Sequence, residues 1–120
     1  MPITYSVDKK QNVVLVTWQG DVTKDDYRAH LKTMLQDPDA LRAGRSLVDL
    51  RRANVLLSGA DLVAIGDAEA VPRLGGRQWR TAVIVSSYVL TTQYGIFVQS
   101  ENTDCVFLDQ AAALAWLVKD

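Results

Sequence analysis

The run Arg45-Ser46-Leu47-Val48-Asp49-Leu50, followed after a loop by Ser58-Gly59-Ala60-Asp61-Leu62, constrains this chain more than any other stretch. Leu47, Val48 and Leu50 make an apolar segment of strand length. It surfaces in Asp49, Arg51 and Arg52, as a buried parallel strand does at its carboxyl end. Ser58 can accept the orphan backbone N–H groups of a helix, and Asp61 three residues on suits the positive end of the helix dipole. The result is a β-loop-α unit whose helix start is a place for an anion or a modified hydroxyl.

The flanking sequence supplies the partners such a unit needs. Ile3, Tyr5 and Val7 alternate with polar residues, Asp8 to Asn12 is a polar turn, and Val13 to Trp18 resumes as a strand, so a hairpin is expected, broken at Gly20-Asp21. Thr23 caps a helix with Asp26 at the capping-box position, and Tyr27, Leu31, Met34 and Leu35 form one apolar stripe that Asp37-Pro38-Asp39 ends. After Ser58 a second helix uses Leu62 and Ile65. Gly66, Pro72, Gly75 and Gly76 leave its end poorly determined, and Asp67 to Gln78 is expected to be the most mobile segment.

Trp79 to Ser86 reads as another buried strand. From Tyr88 a third helix places Leu90, Tyr94, Phe97 and Val98 on one face, while Val89 and Ile96 leave it apolar around more of its circumference than one core contact requires. Asp104 to Leu108 is the last strand. Asp109 caps a final helix, Gln110 to Val118, with Leu114, Leu117 and Val118 inward. The order β-β-α-β-α-β-α-β-α makes strands joined by helices parallel and the leading hairpin antiparallel. A single α/β domain over residues 1–120 is expected, a mixed sheet of four or five strands with four helices.

Composition removes several classes of function. Charged residues make up 22% and 13 basic residues face 14 acidic ones, so no overall field draws the chain to nucleic acid. Aromatic and basic residues do not interleave as in an RNA-binding surface. Cys105 is the only cysteine, which points to a reducing compartment, and the amino terminus lacks a signal-peptide pattern, so a cytoplasmic protein is expected. His30 and Cys105 stand 75 positions apart with no zinc-type spacing, and no phosphate-loop or dinucleotide pattern occurs. Neither a metal nor a cofactor is expected.

The opening MPITYSVD with NVVLVTWQG, then TKDDYRAHLKTML, SLVDLRRANVLLSGADL and CVFLDQAAALAWL, together resemble the STAS family, and more closely its stand-alone bacterial SpoIIAA-like branch. The resemblance covers essentially the whole chain. It implies a small α/β domain that often dimerises. The branch is also similar in shape to CRAL-TRIO-type lipid-binding domains, which implies an apolar small molecule or contact with a membrane. Anti-sigma-factor antagonists of the family carry Asp-Ser-Ser-Gly at the start of the second helix, with one serine phosphorylated. Ser58 matches a serine of that pattern, Leu57 stands where the aspartate belongs, and Gly59 falls at the second serine or, shifted by one, at the glycine.

The candidate sites follow. Ser58 is either an anion or phosphorylation site or a plain helix cap. His30, the only histidine, is the one ordinary general base, yet no Gly-x-Ser-x-Gly pattern accompanies it, and no catalytic residue is assigned. Arg51, Arg52 and Arg77, with Arg73 and Arg80 nearby in sequence, form a candidate basic rim for a carboxylate or phosphate. Trp18, Trp79 and Trp116 are expected mainly in the core. Leu62, Ile65, Tyr88, Tyr94 and Phe97 are the candidates for a groove between the second and third helices, near the carboxyl ends of the strands. Either a second copy of the chain covers the surplus apolar face there or the helices part to admit an apolar ligand. The expected function is a non-enzymatic binding or regulatory module, a homodimer holding an apolar or lipid-like molecule or a protein partner. The alternative is a regulator switched by phosphate on Ser58.

Overall fold

The amino-terminal alternation forms the expected hairpin: β1 (Ile3–Asp8) pairs antiparallel with β2 (Val13–Val22), from Ile3 opposite Trp18 to Asp8 opposite Val13. The computed structural model describes residues 2–86 and 104–119. Asp8 closes the turn, its carboxylate accepting from the backbone N–H groups of Lys10 and Gln11. The strand does not break at Gly20-Asp21. Gly20 accepts a φ of +69°, and parallel pairing with β3 (Arg45–Val55) continues through Gly20 opposite Ala53 to Val22 opposite Val55. A bulge beside Trp18 absorbs the change of register between Thr17 and Gln19.

α1 (Lys24–Met34) starts with the expected capping box, in which the Thr23 N–H donates to Asp26 Oδ2 at 2.9 Å and the Asp26 N–H donates to Thr23 Oγ1 at 3.3 Å. Its stripe of Tyr27, Leu31 and Met34 is buried, with Leu35 just beyond. Asp37-Pro38 ends α1 but also opens α2 (Pro38–Ala43), a helix missed in the sequence. Asp37 is its N-cap, Pro38 sits in the first turn where no N–H is needed, and Gly44 closes it at a φ of +69°. The Tyr5 hydroxyl donates to Asp37 at 2.9 Å and ties α2 back to β1.

α3 (Gly59–Ile65) follows Ser58 as expected. Where Gly66 and Pro72 left the end of the second helix undetermined, the chain carries helical turns: a π-helical turn over Gly66–Ala70, then α4 (Val71–Leu74), which Pro72 can enter because it lies in the first turn. Gly75 and Gly76, at φ of +59° and +85°, return the chain to β4 (Arg80–Ile84). β5 (Asp104–Phe107) and α5 (Gln110–Leu117), capped by Asp109, complete the described chain. The helix expected from Tyr88, and its surplus apolar face, lie outside the described residues.

The five strands lie in the order β1-β2-β3-β4-β5, antiparallel in the hairpin and parallel across β2, β3, β4 and β5. The expected mixed α/β sheet is the one observed. Because β3 and β4 are covered on both sides, two cores form. Val16, Trp18, Val48, Leu50 and Val83 pack under α1, α2 and α3. On the opposite side Val13, Leu47, Ala82 and Ile84 pack against Ala113 and Leu117 of α5.

Val118, expected to face inward, lies beyond the end of α5 and is 36% exposed, whereas Leu117 is fully buried. Leu117→Ala is expected to cost about 3 kcal/mol in chemical denaturation and Val118→Ala under about 0.5 kcal/mol. Equal effects would contradict this packing.

Candidate functional site

A cavity of about 350 Å³ opens between α1 and the chain from Gly66 to Trp79, with the sheet as its floor. Its position follows from the packing of α1. Tyr27, Leu31 and Met34 lean over β2 and β3, while Gly66, Ala70 and Leu74 form the facing wall. Val16 and Val48 floor the centre. Ser46 and Thr81 floor the end nearest the starts of β3 and β4.

The polar groups in this apolar space are few. Trp79 Nε1 donates to Ser46 Oγ at 3.1 Å, which fixes the indole as a side wall. Gln78 and Arg77 stand at the exposed rim. His30 is half-buried, packs edge-on against Tyr5 with ring centroids 5.9 Å apart, and also lines a second hollow of about 310 Å³ bounded by Ile3, Thr4, Asp26 and Thr33. Among the described residues its ring nitrogens have no hydrogen-bond partner. Burial lowers its pKa from the usual 6.5 to about 4, so it is neutral at physiological pH. Ser58 and His30 are not brought together by any hydrogen bond.

An ionic clasp ties the cavity's two walls at their seam. Glu69 Oε2 accepts from Arg73 at 2.9 Å, and Glu69 Oε1 lies 3.8 Å from Arg28 Nε and 4.0 Å from Lys32 Nζ on α1. The i,i+4 spacing of Glu69 and Arg73 comes from the helical turns that the glycines and Pro72 concealed in the sequence.

Only one wall of the groove anticipated from the sequence falls within the described residues. Leu62 and Ile65 are 3% and 5% exposed and belong to the core under α1, α2 and α3. Tyr88, Tyr94 and Phe97 lie outside the described residues. The cavity sits over the amino-terminal half of β3 and β4, on the α1 side. Val48 and Trp79 were expected only as core, and the buried hydroxyls of Ser46 and Thr81, set at the start of apolar strands, were the overlooked signal.

The basic rim does not assemble. Arg51 lies on β3 and forms a two-pronged pair with Asp49, Nε to Oδ1 at 3.0 Å and Nη2 to Oδ2 at 2.9 Å, which holds the Asp49 carboxyl below its usual range. It also reaches Gln110 of α5, on the sheet face opposite Arg77. Arg52 is exposed on the same strand. Arg80 lies 4.4 Å over the Trp116 ring and donates to the carbonyls of Trp116, Leu117 and Lys119, so it caps the end of α5.

Ser58 is an exposed N-cap. Its Oγ accepts from the Asp61 N–H at 3.1 Å and its N–H donates to Asp61 Oδ2 at 3.0 Å, so a phosphate on Ser58 would meet the Asp61 carboxylate. Leu57, in place of the aspartate of the phosphorylated pattern, is 4% exposed in the core. Among the described residues no group of three or more His, Cys, Asp or Glu side chains converges, and no helix is long and apolar enough to cross a membrane.

The chain is similar to the crystal structure of an uncharacterized protein of the DUF3478 family with a SpoIIAA-like fold, from Shewanella loihica PV-4. The TM-score is 0.66 and the identity 18%, over 96% of this chain and 93% of that one. No protein-family model matches the sequence, and no curated protein matches it. The fold is SpoIIAA-like, as anticipated from the order of the sequence motifs.

Leu57→Asp, which restores the acid of the phosphorylated pattern, would bury an unpaired carboxylate and is expected to cost about 3 kcal/mol in urea denaturation. A neutral effect would show that Leu57 is not a core anchor. For His30 the sign follows from its depressed pKa: the unfolded chain binds the proton first as pH falls. Stability is full above about pH 6.5 and falls by on the order of 2 kcal/mol as the pH approaches 4. His30→Gln is expected to flatten the stability profile between pH 6.5 and 5, a window in which the carboxylates stay ionised; an unchanged slope would contradict the burial of the ring.

Proposed function

We propose that this protein is a non-catalytic binding module that holds a small apolar or amphipathic molecule between α1 and residues 66–79. The observation that carries this reading is the cavity itself. At about 350 Å³ it falls within the size of small-molecule sites, roughly 300–1,000 Å³. Its walls are aliphatic and aromatic, with a few polar groups set where they can orient a guest. The space is open at the rim of Arg77 and Gln78, so a guest can enter while its apolar part is shielded from water by the walls.

The composition of the wall also sets the chemistry. Among the described residues no hydroxyl or thiol is hydrogen-bonded to His30, and none is activated by it. Binding is what the lining can do. The STAS-type fold accords with a regulatory role in which occupancy, and not turnover, is the signal.

Native mass spectrometry of protein taken directly from its cells, followed by organic extraction, tests the reading. The expected result is a co-purifying molecule of low mass, lost in Ala70→Phe, whose ring would fill the cavity from the wall formed by Gly66–Ala70. Circular dichroism is expected to show that variant folded. Bare protein in both cases would overturn the proposal.

A further inference from the structure

We propose that the molecule held in this cavity is an apolar monocarboxylic acid, its hydrocarbon part inside and its carboxylate gripped at the rim by Arg77. This rests on the binding reading above and adds the charge and orientation of the guest. Among the described residues Arg77 is the one arginine or lysine in the cavity wall, and no aspartate or glutamate lines it. Its backbone N–H is engaged by the Leu74 carbonyl at 3.1 Å, which fixes its place after α4, while its guanidinium makes no hydrogen bond or ion pair among the described residues.

The neighbouring cations are already occupied. Arg73 is bound to Glu69, and Arg28 is shared between Asp25 at 2.9 Å and Glu69 at 3.8 Å. An incoming carboxylate thus meets a free planar fork with no competing acid beside it. Cations still outnumber acids along the seam, where Arg28, Lys32, Arg73 and Arg77 stand against Asp25, Asp67 and Glu69. That local surplus, on a chain of net charge −1, favours an anionic guest over a cationic one.

The orientation follows from the cost of burial. Apart from the indoles, the inner polar side chains are Ser46, Thr81, Tyr27 and a neutral His30, hydroxyls and an imidazole with no positive charge to balance a buried carboxylate. The charge therefore stays at the exposed rim, and the apolar part lies against Leu31, Met34 and Val48. The volume, near the lower bound for ligand sites, suits one chain or a compact ring system and excludes a two-chain lipid.

Calorimetric titration with decanoate, decanol and decyltrimethylammonium, each below its micelle concentration, separates the two claims. Decanoate is expected to bind about tenfold more tightly than decanol, the gain of a charge-assisted over a neutral hydrogen bond. Arg77→Gln, a change at an exposed position, is expected to remove that margin and leave decanol unchanged. Equal affinities for decanoate and decanol, or a preference for the cationic amphiphile, would overturn the carboxylate assignment and leave the binding reading standing. No binding of any of the three would overturn both.

Discussion

The double burial of β3 is the constraint from which the rest of the molecule follows. This strand pairs with β2 on one side and β4 on the other, and from Ser46 to Leu50 both its faces are covered. Leu47 turns to α5, while Ser46, Val48 and Leu50 turn to the helical layer of α1 and α3. A strand so placed has to satisfy every backbone group in the ladder and present apolar side chains both ways. The crossover through α1 and α2, and the one through α3 and α4, are then forced onto the sheet, and the unfilled space between them becomes the cavity.

Arginines hold the far ends of this arrangement. Arg45 donates to the carbonyls of Gln11, Asn12 and Leu117, and Arg80 to those of Trp116, Leu117 and Lys119. Together they join the β1–β2 turn, the starts of β3 and β4, and the carboxyl end of α5. A guanidinium can do this because it offers five donors in a fixed fork. Their engagement also explains why a concentration of arginines in sequence does not become a concentration of available charge. Of those suggested by spacing, Arg51, Arg73 and Arg80 are absorbed by Asp49, Glu69 and the end of α5, Arg52 stays exposed on β3, and Arg77 is left at the cavity.

Much of the fold was legible because its signals are local. The alternation at Ile3, Tyr5 and Val7, the capping boxes Thr23–Asp26 and Ser58–Asp61, and the apolar run at Leu47 each depend on neighbours within a few residues. What was illegible depends on contacts distant in sequence. The extension of β2 past Gly20 is imposed by pairing with β3. Asp37-Pro38 signals the end of one helix and the start of another equally well, and only the Tyr5 bond and Gly44 show that both apply. Leu62 and Ile65 carry the same periodicity whether they line a groove or fill a core, and Tyr88, Tyr94 and Phe97 lie outside the described residues. The STAS-type motif order foretold the architecture that the structural neighbour shares, yet Ser58 in place brings with it Leu57 in the core and an Asp61 carboxylate against any phosphate.

The central claim is that the space above Ser46 and Val48 is a binding site, and a crystal structure of the protein isolated without refolding from its own cells tests it most directly. The account foresees continuous density above those two residues, bounded by Leu31, Leu74 and Trp79 and ending beside Arg77. If α1 and residues 66–74 instead close on each other, with side chains filling the space and no guest between them, the account is wrong.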